Sequence, residues 1–147
     1  MKKLMMIIGL ITLATSFTAQ ACPDLEGEYI CRGAGQVQEV QIQQDKRNDI
    51  WSYYLDLGDD EITVLTDGKT HNLGTFQRIQ NASYKANCQA KTLKVNATGD
   101  IIVVGRSFRA QSQMSFTPAK NGSITSTASL VVNGRTLQNV KLDCRPL

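Results

Sequence analysis

Along most of the chain, apolar and polar side chains alternate with a period of two. Phe108, Ala110, Ser112, Met114 and Phe116 fall on one face, with Arg109, Gln111, Gln113 and Ser115 on the other. Ile124, Ser126, Ala128 and Leu130 alternate likewise with Thr125, Thr127 and Ser129. Trp51, Tyr53, Leu55 and Leu57 make a third face, and Val40 and Ile42 a fourth, set between Glu39, Gln41 and Gln43. Successive strand side chains point to opposite sides, so period two predicts strands with one buried face. Turn chemistry separates them: Gly33-Ala34-Gly35, Asp45 to Asn48, Gly58-Asp59, Asp67-Gly68, Gly99-Asp100, Asn121-Gly122 and Asn133-Gly134. Asn-Gly and Asp-Gly supply the positive φ angles of tight hairpins.

The three prolines, Pro23, Pro118 and Pro146, avoid these alternating segments, as strands that form hydrogen-bonded ladders require. Asn81 to Lys91 fits two patterns: a short helix capped by Asn81, or a strand with Tyr84, Ala86 and Cys88 on one side. The strand is preferred. Eight to ten short antiparallel strands at near-even spacing imply an all-β sandwich or barrel. Consecutive tight hairpins favour the antiparallel up-and-down β-barrel over a Greek key.

The first residues read as an address. Met1-Lys2-Lys3 is a positive start, Leu4 to Ala14 an apolar run, and Ala19-Gln20-Ala21 a small-residue cleavage site. That order predicts a secretory signal peptide over residues 1–21, too short for a spanning helix, and a single domain over 22–147. The positions before Cys22 lack the usual lipoprotein pattern, so an unlipidated protein of the periplasm or the medium is expected. The formal charge is +3, and residues 1–21 hold Lys2 and Lys3 but no acid, leaving 14 basic and 13 acidic residues. So balanced a chain excludes a nucleic-acid binder.

Asp24-Leu25-Glu26-Gly27-Glu28-Tyr29 resembles the first-strand Gly-x-Trp signature of lipocalin- and avidin-like barrels, with Tyr29 where those families have Trp. The resemblance implies a calycin-type barrel whose aromatic residue plugs the closed end while the open end admits a small apolar ligand. The stretch from Cys22 to Cys31 also resembles small secreted bacterial proteins of unknown role, which implies no activity.

Cys22, Cys31, Cys88 and Cys144 are even in number, as two disulfides in an oxidising compartment require. In an even-stranded meander barrel the first and last strands are neighbours, which sets the end of the chain beside its start. That argument favours Cys22–Cys144 with Cys31–Cys88. Cys22–Cys31 with Cys88–Cys144 is the alternative and needs a hooked N-terminus. No Cys-x-x-Cys spacing supports redox or metal chemistry.

Few residues advertise reactivity. His71, the single histidine, follows the Asp67-Gly68 turn and is expected to be solvent-exposed, without a nucleophile or second ligand nearby. Asp56, Asp59, Asp60 and Glu61 cluster around Gly58 in a spacing that matches no calcium loop, so they read as a solvated hairpin. Neither metal nor cofactor is expected. Trp51 and Tyr53 share a face with Leu55, as core residues do, whereas Tyr54 points away. Ala110, Ser112, Ser126 and Ala128 are small and face inward, leaving room in a barrel whose interior side chains otherwise just fill. Ile101, Ile102, Val103 and Val104, like Leu130-Val131-Val132, are apolar on both faces and suggest a covered wall or a homo-oligomer contact. Asn81-Ala82-Ser83, Asn96-Ala97-Thr98 and Asn121-Gly122-Ser123 match the glycosylation pattern, incidentally in a chain with a bacterial-looking leader.

Two functions follow from this reading. The first is a non-catalytic barrel that binds a small, partly apolar ligand in its lumen, with Tyr29, Trp51, Tyr53, Phe108, Met114, Phe116 and Leu130 lining or plugging it. The second is a protein-interaction or inhibitor module acting through its surface and loops. An enzyme comes third, for want of an acid, base and nucleophile set.

Overall fold

The computed structural model describes residues 21–147, and the expected signal peptide, apart from Ala21, lies outside them. Ten antiparallel strands follow one another: β1 (Gly27–Gly33), β2 (Gln36–Arg47), β3 (Ile50–Asp56), β4 (Glu61–Leu65), β5 (His71–Phe76), β6 (Ile79–Gln89), β7 (Thr92–Val103), β8 (Arg106–Pro118), β9 (Ile124–Val132) and β10 (Arg135–Pro146). Each pairs with its sequence neighbours except across β4 and β5, and β1 pairs with β10. The result is a nearly closed up-and-down barrel, as the alternation predicts. Its seam falls between β4 and β5, while the chain's two terminal strands are fully zipped together. Among the described residues no helix is long and apolar enough to cross a membrane.

Alternation decides which side chains are inside. Val40, Ile42, Tyr53, Leu55, Ile62 and Val64 are buried on one wall, with Leu93, Val95, Met114 and Phe116 facing them from the other. The ambiguous segment is strand β6, with Tyr84, Ala86 and Cys88 all buried.

One of the expected turns is misplaced. Gly99-Asp100 is no turn but the interior of β7, paired with Ala110 and Arg109 of β8. Gly99 is glycine because β6 comes too close for a side chain. A Cβ there would collide with the Ile79 side chain and stand 2.6 Å from the Gln80 carbonyl oxygen. Asn81 has φ of 50° and the β6–β7 register slips between Gln80 and Ser83, so β6 bulges at this point. The hairpin instead reverses at Val104-Gly105. We expect Gly99→Ala to destabilise the protein by about 1–3 kcal/mol through overpacking, seen as a lowered midpoint in thermal unfolding. An unchanged midpoint would mean that β6 can yield there.

The disulfides join Cys22 to Cys88 and Cys31 to Cys144. Both pairings weighed from the sequence are thereby corrected. β1 and β10 are neighbours as argued, but β10 runs on to Pro146 opposite Tyr29, and that register sets Cys144 opposite Cys31. Cys22 precedes β1 and is carried elsewhere. Its segment crosses the end of the barrel to β6, which stands five strands from β1 in either direction round the ring.

Candidate functional site

The two ends of the barrel differ. At one end the segment 22–26 forms a strap across the lumen. The Leu25 side chain is fully buried, its N–H donates to Gln44 Oε1 at 2.8 Å, and its carbonyl accepts the Tyr29 hydroxyl at 3.1 Å. The Tyr53 hydroxyl donates to the Pro23 carbonyl at 2.6 Å. A strap that leaves the lattice of strands exposes backbone groups, and these tyrosine and glutamine partners satisfy them. Burial, with Asp24 adding to it, raises the pKa of both Tyr29 and Tyr53, so both hydroxyls remain donors. Cys88 fastens the far end of the strap.

Two of the seven expected ligand residues, Tyr29 and Tyr53, bond this strap. Tyr29, Tyr53, Met114 and Phe116 are buried in the packed core. Tyr29 sits at the strapped end, its hydroxyl bonded to the Leu25 carbonyl. Trp51 is half-buried, stacked on Tyr53 at 6.2 Å between ring centroids, with Lys46 Nζ 5.8 Å over its own ring. Phe108 is half-buried opposite Ile101 on the β7–β8 hairpin.

Leu130 alone of the seven lines the groove at the open end. There a groove of about 500 Å³ enters the mouth of the barrel. Its floor is apolar: Ile79, Ala128, Leu130, Val140 and Leu142, with Ser112 among them. Its rim carries amides and charges, from Gln36, Gln38, Gln77 and Gln138 to Asp59, Asp60 and Arg78. Gln38 Nε2 donates to the Leu57 carbonyl, tying β2 to the β3–β4 loop. The small inward residues explain the space: Ala128 faces Met114 on β8 and Val140 on β10, and a larger side chain there would fill it. A volume of this order, apolar below and polar above, suits one small amphipathic molecule.

Sequence reasoning missed Gln36, Gln38, Gln138 and Val140 as mouth residues. Their strands were in view, or half in view, but which end of each strand stays open depends on the strap, and no local pattern announces a strap. Leu25 was the available signal: an isolated apolar residue among Asp24, Glu26 and Glu28.

His71 is not simply exposed, which corrects the expectation. Its Nε2 lies 2.9 Å from Asp67 Oδ1, its ring stacks on Tyr84 at 5.2 Å, and its side chain is 27% exposed. Asp67 also accepts the Lys69 N–H, and the His71 hydrogen bond, with that second bond, lowers its carboxyl pKa. Beside it the Tyr84 hydroxyl accepts the Leu65 N–H and the Ala86 carbonyl accepts the Gly68 N–H. These bonds hold the β4–β5 corner against β6 where the ladder is interrupted. Asp56, of the acidic cluster, accepts the Gly58 N–H at 2.9 Å, so it shapes the β3–β4 turn.

Compared with family models, with curated proteins and with solved structures, the chain finds no match.

Proposed function

We propose that the protein is an exported, non-catalytic barrel of lipocalin- or avidin-like kind that holds a small, partly apolar ligand in its open mouth. The observation that carries this reading is the asymmetry of the ends. The strap, Tyr29, Tyr53 and Phe116 fill one, whereas the small residues Ser112 and Ala128 leave a groove over an apolar floor at the other. Uncharged amides on the rim would give such a ligand hydrogen bonds without demanding a formal charge. The two disulfides suit an oxidising compartment, the periplasm or the medium beyond the cell. The non-catalytic part of the reading rests on His71, whose polar partner Asp67 and stacking partner Tyr84 serve to brace the β4–β5 corner against β6.

Ala128→Phe tests it. The phenyl group would enter the mouth rather than a close-packed interior, so the thermal midpoint is expected to stay near that of the wild type. Uptake of an apolar fluorescent dye, bound by the wild type, is expected to be lost. Destabilisation by about 1–3 kcal/mol, with no dye bound by either protein, would mean a filled interior and would overturn the proposal.

A further inference from the structure

Among the described residues, seven large apolar side chains stand exposed, and five of them lie at the mouth end: Val37, Ile102, Val103, Val104 and Leu137. Three of those five are consecutive at the tip of the β7–β8 hairpin. We propose that this hairpin is a finger that inserts into a membrane surface bearing anionic phosphate headgroups and so seats the mouth of the barrel on the lipid.

Projection is the first reason. On one side the β6–β7 ladder ends at Gln80 opposite Asp100, and β7 runs on through Val103. On the other, β9 ends at Val132 opposite Ala110, and Arg106 to Arg109 of β8 continue past it. A single bond from the Asn133 N–H to the Arg109 carbonyl joins that stretch to its neighbour. Strand tilt makes a hairpin overhang one neighbour and fall short of the other; overhang on both sides means that this one protrudes. Three residues beyond the ladder correspond to about 10 Å.

The distribution of apolar surface is the second reason. Val103, opposite Arg106, lies on one face of the tip, Ile102, opposite Ser107, on the other, and Val104 at the apex. They are 49%, 53% and 96% exposed. A pocket on another protein takes up one face of a hairpin, whereas lipid surrounds the whole tip. A penetration of about 5–10 Å is the depth at which interfacial segments lie.

Backbone strain is the third. Val104 has φ of 49°, in the left-handed region that β-branched residues avoid, at a hairpin position suited to Asn or Gly. With almost all of its surface exposed, the valine gains nothing from the rest of the chain to offset that strain. Its side chain is therefore of use to something outside the fold.

Charge complementarity selects anionic lipid. Arg106 and Arg109 lie on the hairpin, Arg78 on the β5–β6 turn to one side and Arg135 at the start of β10 to the other, all exposed. Asp100 is the one acid on this hairpin and lies 3.8 Å from Arg109. Asp59 and Asp60 share the mouth rim with Arg78, but with Asp56 and Glu61 they belong to the β3–β4 hairpin, on the part of the rim separated from the finger by β5 and β6. Guanidinium groups behind an apolar tip are positioned to meet phosphate oxygens.

The test uses residues 22–147, so that the apolar run of the leader plays no part, and phosphatidylcholine vesicles with or without phosphatidylglycerol. The wild type is expected to sediment with the mixed vesicles and to release as salt is raised. Val104→Asn suits the turn better, so its thermal midpoint should be equal or higher while vesicle affinity falls about tenfold or more. Arg106→Gln with Arg135→Gln should remove the phosphatidylglycerol dependence. Ala128→Phe should leave vesicle binding unchanged, which separates this inference from the ligand in the mouth. Failure of the wild type to sediment, or full binding by Val104→Asn, would overturn it. So would a wild-type dimer that Val104→Asn converts to monomer, because the finger would then be buried against a second copy.

Discussion

Replacing Cys31 and Cys144 together by alanine is expected to lower stability by about 4–5 kcal/mol, the chain-entropy value for so long a closed loop. The bridge spans 113 residues and lies across the β1–β10 pairing that closes the ring at the chain's two ends. Without it the unfolded chain regains the freedom of almost the whole domain, while the native register loses only a covalent clamp already flanked by ladder hydrogen bonds. For a domain of this size the midpoint should fall by roughly 15 °C. Peptide mapping of the non-reduced wild type should recover Cys31 joined to Cys144. Finding Cys144 joined to Cys22 would contradict the register, and a stability change below about 1 kcal/mol would contradict the loop argument.

The second large effect is expected at the strap. Leu25 is fully buried in the same core as Tyr29 and Tyr53, whose hydroxyls bond the strap carbonyls of Leu25 and Pro23, so its side chain is the strap's plug. Leu25→Ala removes that plug where the surrounding strands cannot collapse inward, because the barrel ladder fixes their spacing. A loss of about 2–5 kcal/mol is expected, from lost burial and the cavity left behind. Chemical denaturation reads it directly, as a lower midpoint at an unchanged denaturant slope. A near-neutral result would mean that segment 22–26 lies on the barrel without sealing it.

The barrel was legible because its information is local. Alternating runs such as Phe108 to Phe116 mark a buried face, and Asn133-Gly134 marks a reversal, without reference to the rest of the molecule. What misled was a residue whose role is set by a distant contact. Gly99 reads as a turn glycine, yet it is required by the close approach of β6. The true reversal at Val104-Gly105 was hidden because valine is a poor residue for that position. Gln77-Arg78 and Ala90-Lys91 also turn with positive φ and carry no turn signature at all. The cysteines failed for a related reason. Adjacency of the first and last strands follows from topology, but the partner of Cys144 follows from register, and register depends on how far β10 continues.

The candidate site was legible by half. Of the four small residues expected to leave room, Ser112 and Ala128 line the mouth beside Leu130, whereas Ala110 and Ser126 are buried outside it. Of the aromatic residues expected beside them, Tyr29, Trp51, Tyr53 and Phe116 stand toward the strapped end, whereas Phe108 stands on the β7–β8 hairpin at the mouth end. A ligand barrel with one end filled can be entered from one side alone, which is also the side that carries the projecting hairpin.

The most direct test of this account is an amide chemical-shift map of the isotope-labelled protein titrated with an apolar dye. The account predicts shifts concentrated at Ser112, Ala128, Leu130, Gln138 and Val140, with the amides of Leu25, Tyr29 and Tyr53 unmoved. Shifts centred on the strap, or none at any position, would contradict it.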